Sequence, residues 1–313
     1  MESYRQPLWA FIIILFFSPF VKAEVLPSGA LRFHQSVGIV SYGSLFAGDE
    51  VVVIGSSAPT PSTQSGGTLA TDSSSSSSSG GVSAVVLNTS ASLGLFAGFQ
   101  LDANAAYRYS SISGSQGNRQ DGEFEAGISE IGIRVMKNVI EPKWGESMPF
   151  GMNVYLGLRA PGNAPAPADD FLALNDGSLK YDLGLKNSLF FEGFGLESDL
   201  AFTLRSNNEQ APQFRFSLSV PVTAVKGVTF GPFATFFTTF GGIDIGDSEF
   251  TSLAQSQGAP PFSRVKEDYF SAGAFVAVPV SEMVAIDGSF QKKLMGRNTD
   301  NSVAFNLGVG LNF

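Results

Sequence analysis

Cysteine is absent from all 313 residues, and histidine occurs once. Without cysteine there is no disulfide framework, and no thiol to carry a lipid anchor behind a leader sequence. With a single histidine, the usual zinc and iron sites cannot be assembled either. Charge is scarce: Asp, Glu, Lys and Arg make up 15% of the chain, at a formal net charge of −9. That acidic balance, with no basic clusters, argues against nucleic acid as a partner. Blocks rich in the helix formers Ala, Glu, Lys and Leu are missing. Beyond the first residues, no apolar run approaches the ~20 that a helix needs to cross a bilayer. The longest, such as "GPFATFFTTFGG", are studded with Thr and Gly. Helices do not take this chain through a membrane.

What is present begins with "MESYRQPLWAFIIILFFSPFVKA". A basic residue, an apolar run too short to span and a small-residue site give the layout of a secretory signal peptide. Residues 1–23 are therefore expected to be a leader cut after Ala23, leaving a mature chain of 24–313. Losing Glu2, Arg5 and Lys22 would make that chain about one unit more acidic.

The end of the sequence, "NSVAFNLGVGLNF", carries the strongest periodicity. Val303, Phe305, Leu307, Val309, Leu311 and Phe313 take every second position, with small or polar residues between. Such alternation makes a strand with one apolar face. The same period recurs upstream and divides the mature chain into about twelve strand-like segments. One segment changes phase: Phe124, Ala126 and Ile128 give way to Ile131, Ile133 and Val135. A β-bulge near Ser129–Glu130 would restore the facing.

Two architectures fit alternating strands: a soluble antiparallel sandwich and a barrel with lipid outside. The connections favour the barrel. Long links, above all the Ser/Gly/Pro-rich stretch at about 48–82, alternate with short ones around Gly98, Asn187–Phe194, Pro221–Gly227 and Pro279–Met283, with one exception on the short side, "KNVIEPKWGESMP", longer than a turn. Long loops at one end and tight turns at the other are the asymmetry of an outer-membrane barrel. An even strand number then leaves both termini on the short-turn rim. The expected fold is an all-β, transmembrane, antiparallel up-and-down barrel.

The terminal strand, through Val309, Leu311 and Phe313, resembles the assembly signal of bacterial outer-membrane β-barrels; elsewhere the resemblance is one of architecture. It implies recognition by the barrel-assembly machinery, with the last strand closing against the first, and residence in the outer membrane of a Gram-negative bacterium. The spacing His34-Gln35-Ser36 is similar to the H-x-S of outer-membrane phospholipases and lipid A deacylases. Val37 stands where those families place asparagine. Alternation also turns His34 and Ser36 into the lumen, away from a lipid substrate, so no catalytic residue is assigned. The acidic cluster Asp244, Asp247, Glu249 lacks EF-hand spacing and reads as solvated loop. No cofactor and no metal are expected.

Positions opposite the lipid-facing ones carry both signs of charge: Arg32, Asp102, Arg108, Glu125, Arg134, Arg159, Lys180, Asp182, Lys186, Glu197, Asp199, Arg205 and Arg215. On a lipid face each would cost ~2–4 kcal/mol near the midplane, so these are candidate lumen-lining residues. They suit a hydrated pore with a transverse field, and equally a set of salt bridges tying a narrow barrel shut. Phe233, Phe237 and Phe275 share the lumen parity and point to a partly apolar inner wall, fit for an amphipathic or aromatic solute. Trp144, the cluster Phe190, Phe191 and Phe194, and the pair Tyr107 and Tyr109 are expected to mark the two interfaces. Loops one and five are long enough to fold into the mouth. The sequence thus describes a channel for small solutes, narrower than larger porins, with outer-membrane lipid around it and its oligomeric state open. The rival is a plugged barrel that binds a partner through its loops.

Overall fold

The computed structural model describes residues 25–47, 50–53, 81–114, 120–142, 149–162, 172–191, 193–206, 211–224, 227–244 and 264–313, with 248, 252, 253 and 256 besides. The expected leader, Trp144, Asp247, Glu249 and the serine run Ser73–Ser79 lie outside them.

Twelve strands follow one another in chain order. They are β1 (Leu31–Tyr42), β2 (Gly81–Gly94), β3 (Phe99–Ser113), β4 (Phe124–Ile140), β5 (Phe150–Pro161) and β6 (Lys180–Phe191). The second half comprises β7 (Phe194–Arg205), β8 (Gln213–Ser219), β9 (Thr229–Thr239), β10 (Asp268–Pro279), β11 (Val284–Arg297) and β12 (Val303–Asn312). Each pairs antiparallel with the next, and β1 pairs with β12, so the sheet closes on itself. Val222–Thr223 continues β8 after a break. At the long-loop rim, Ser44–Ala47, Glu50–Val53 and Thr299–Asp300 form a small separate sheet.

Closure matches Phe33 with Leu311, Val37 with Leu307 and Ile39 with Phe305. It ends where Leu31 and Phe313 exchange backbone hydrogen bonds, at 3.0 and 2.7 Å. On the same rim the β2–β3 turn is tight, with Ala97 and Gly98 both at positive φ. The phase change in β4 is a bulge at Ser129: Ala106 faces Glu130, while Tyr107 faces Ile128.

The outer wall is apolar and uncovered. Leu156, Leu183 and Leu307 are 65%, 57% and 64% exposed, and Phe33, Ile133 and Phe305 lie on the same surface. A contiguous apolar surface around a whole barrel has no stable place in water; its medium is lipid. Stacked rings sit at both ends of the wall, Phe191 on Phe194 at the short-turn rim and Tyr109 on Phe124 at the other.

Three features differ from the sequence reading. Phe190 is not part of the girdle: it falls on the lumen parity of β6 and is buried against the inner wall. Lys137 and Lys292 lie on the outward parity of β4 and β11. Lys137 reaches a backbone carbonyl, that of Ala97, in the short turn, and a lysine's long stem lets its head rise toward an interface. The third is the mouth. The connection between β5 and β6 folds in, burying Leu172 completely against Tyr42, Val82 and Ile112. The fifth long loop joins it, with Ile243 bridged to Val265 and both buried. The first contributes the rim strands already described, and its remainder lies outside the described residues.

The lipid assignment predicts a parity effect. Leu156→Arg should cost about 2–4 kcal/mol, whereas Ser90→Arg, on the lumen side of β2, should cost about 1 kcal/mol or less. Reversible unfolding in lipid vesicles measures both.

Candidate functional site

The candidate site is the lumen, and its charged side chains are set in belts across neighbouring strands. The lower belt starts at Asp102 on β3, which takes hydrogen bonds from Gln100 at 2.6 Å and from Arg134 on β4 at 2.7 Å. The Arg134 guanidinium lies 5.1 Å from the Tyr155 ring centroid on β5, a cation–π distance. Tyr155 donates its hydroxyl to Asp199 on β7 at 2.8 Å, and Arg215 on β8 approaches the same carboxylate at 3.4 Å. The Tyr155 ring can lie flat across β6 because residue 184, its cross-strand partner, is glycine; any Cβ there would run into the ring. Lys186 reaches the same ring from β6. Glu197 accepts from Ser219 on the neighbouring strand.

The upper belt is denser. Arg159 forks onto Asp182, with Nε and Nη2 at 2.5 and 2.8 Å, and turns Nη1 to Glu130 at 3.2 Å. Thr203 donates to the same Asp182. Lys180 bridges Glu130 and Asp176, at 3.6 and 3.1 Å, and Arg205 reaches Asp176 at 3.4 Å and the carbonyl of Ala211. Asp176 belongs to the infolded β5–β6 connection. Burial would raise its pKa, but Lys180 and the hydrogen bonds from Ser178 more than offset that and hold it below the usual carboxylate range. The belt therefore anchors a loop in the mouth.

The remaining wall is different. Phe233 and Phe275 face each other with ring centroids 6.5 Å apart, and Phe237 stacks on Tyr269 at 4.9 Å. Between and beside them are hydroxyls and amides, among them Ser217 with Thr235 and Gln291 with Ser271. Lys293 is tied to Asp300 at 2.6 Å above this patch. Arg32 bonds Asn312, and Arg108 bonds Ser110. His34 on β1 meets Asp287 on β11 at 2.7 Å, spanning β12 over Gly308, where a Cβ would collide with both groups. Among the described residues no hydroxyl is bonded to this histidine.

One element enters from the short-turn side. Val25 packs on Met136, Tyr155 and Ala201. The Leu26 amide donates to Gln100 at 2.7 Å, and Pro27 crosses the inner face of Gly94, where any Cβ would strike its carbonyl. The segment before β1 therefore occupies the lumen and is pinned to the lower belt.

The charges named from alternation stand on the inner face, with Glu125 among them on β4, and the belts join most of them. Sequence reasoning missed Gln100, Glu130, Tyr155 and Asp176. Gln100 and Tyr155 were legible by parity, next to Leu101 and Leu156. Glu130 was masked by the bulge, and Asp176 lies in a loop without period.

No family model matches the chain, and no curated protein does. Among solved structures it is similar to an outer membrane channel from Pseudomonas putida F1, at 15% identity and a TM-score of 0.66, over 95% of this chain and 99% of that one. The KdgM porin in complex with disordered oligogalacturonate aligns with 8% identity and a TM-score of 0.41, over 91% and 99%. The barrel is a transmembrane fold of the outer-membrane type.

Breaking the upper belt should be costly. Arg159→Ala leaves Glu130 and Asp182 facing each other without their cation and should destabilise the barrel by about 3 kcal/mol. Arg159→Lys, which keeps the charge but loses the fork, should fall between that variant and the native protein. Urea titration in vesicles reads both.

Proposed function

We propose that the protein is a channel of the Gram-negative outer membrane that conducts small solutes passively. The observation that carries this is the division of its lumen. Charge belts of both signs line β3–β8, and a wall of phenylalanine, hydroxyls and amides faces them on β9–β11, with Asp287 and Lys293 of β11 in ion pairs beside it. Such an interior sets a transverse field across a narrow path and offers an apolar body somewhere to rest. A solute that is part polar and part apolar fits both sides at once. No bond-breaking step is part of this reading, because His34 is engaged by Asp287 inside the barrel, on the face away from lipid. Delivery to the membrane would rest with the barrel-assembly machinery, acting on Val309, Leu311 and Phe313.

A plugged barrel remains the second reading, and the infolded Val25–Pro27 favours it in the resting state. Among the described residues the segment is held by the Leu26–Gln100 hydrogen bond, by Val25 on Met136, Tyr155 and Ala201, and by Leu26 and Pro27 seated over Gly94; the channel reading treats it as a removable stopper. Deleting residues 25–28 should raise single-channel conductance several-fold, and Gln100→Ala should do the same to a lesser degree. Arg215→Glu, at a guanidinium that is 42% exposed, should shift ion preference toward cations in the same recording. A truncated protein that gives neither current nor liposome swelling with small polar and aromatic solutes would establish the plugged barrel instead.

A further inference from the structure

The wall changes character where β8 meets its neighbours. Proline has no N–H, so each proline in a ladder deletes one rung. Val220 donates to the Pro232 carbonyl at 3.0 Å, and Gly195 donates to the Pro221 carbonyl at 2.7 Å. In neither pair can the proline return the bond. The pairing of β8 accordingly stops at Ser219 and resumes over Val222–Thr223. The two-residue stretch Val220–Pro221 thus lacks a rung toward β7 and another toward β9. The β2–β3 and β6–β7 ladders, by contrast, run without a register break, whereas β3–β4, β4–β5 and β10–β11 each carry a bulge or register shift.

Two further observations fall within a few residues of this seam. On the lipid face, Asn187 donates to Ser198 at 3.3 Å, one of several polar groups on the outward parity, which also carries Gln35, Lys137 and Lys292. The two are cross-strand partners, and Leu218 of β8 lies opposite Ser198. Behind them is a cavity of about 270 Å³. Its lining includes the inward-facing Lys186, Glu197, Asp199, Ser217, Phe233 and Phe275, and it abuts the strand segments that carry Asn187, Ser198 and Leu218. A weakened ladder, a polar pair outside and a cavity inside with two phenylalanines among polar and charged groups coincide here.

We infer that the β7–β8–β9 seam around Val220–Pro221 is a lateral exit, through which small uncharged amphiphiles pass from the lumen into the bilayer. The inference rests on the channel reading above, because the lumen must deliver the solute. A molecule with an apolar body gains by leaving a water-filled path for lipid. Parting strands normally exposes a row of backbone groups that lipid cannot satisfy; here two of those donors do not exist.

The absence of cysteine makes the test direct. Ser198 and Leu218 are opposed on the outer face of β7 and β8, so S198C/L218C introduces a single disulfide that staples the seam without entering the lumen. The probe is N-phenyl-1-naphthylamine, whose fluorescence rises on entering the bilayer. Its entry is followed in cells bearing the protein, and the same variants are recorded in planar bilayers. Oxidation should slow probe entry several-fold at unchanged conductance, and reductant should restore it. Pro232→Ala, which returns the missing N–H, should slow entry by itself while preserving the fold. Entry unaffected by the staple, or falling in step with conductance, would overturn the lateral exit. Stapling that blocks the probe in a protein with no conductance would overturn the pore and leave the exit standing, so the two failures are distinguishable.

Discussion

Everything in this structure depends on the inability of acyl chains to hydrogen-bond a peptide group. An unpaired N–H or C=O in lipid costs several kcal/mol, so a sheet that enters the membrane must have no edge. The meeting of β1 and β12 meets that demand, and Leu31 and Phe313 complete the ladder to the last residue of the chain. Once the sheet is closed, every side chain has one of two destinations, and the two-residue period sorts them. Hydrophobic residues outside and polar ones inside are consequences of closure, the reverse of a soluble core.

Closure also explains why the lumen charges are paired so thoroughly. In a narrow interior an isolated charge is less well solvated than in bulk water and gains from a partner. The belts from Asp102 to Arg215 and from Glu130 to Arg205 do this across adjacent strands, where the pleat brings same-face side chains within reach. Glycine is part of the device. Gly184 and Gly308 remove the side chain under Tyr155 and under the His34–Asp287 pair, so that groups two strands apart can touch. Pairing of this kind lets a lumen be polar without being loose.

How much of this was readable in advance follows from where period exists. Strands announce themselves by alternation, so their number, the bulge at Ser129 and the inward face of residues such as Arg134 and Lys180 could be read from the chain. Phe190 was misplaced because it sits beside Phe191 and Phe194 in sequence, and proximity outweighed parity. The loop residues that shape the mouth, Leu172 and Asp176, had no signal, since a connection without period gives no facing. The same is true of Val25 and Leu26, whose burial in the lumen depends on long-range contacts with Met136, Tyr155 and Gln100.

The rule that demands closure also says where the wall can yield. If unsatisfied backbone is what lipid penalises, a strand joint resists opening in proportion to the rungs that would be broken. A joint that already lacks donors resists least. Pro221 and Pro232 remove those donors on either side of a short β8, while the β6–β7 ladder runs without a break. A defect in a sheet is ordinarily confined to its edges, and a closed barrel has none. Two prolines bracketing one stretch of wall, with a cavity behind that Phe233 and Phe275 share with polar groups and a polar pair in front, are therefore placed where a barrel would need them to release cargo sideways without giving up closure elsewhere.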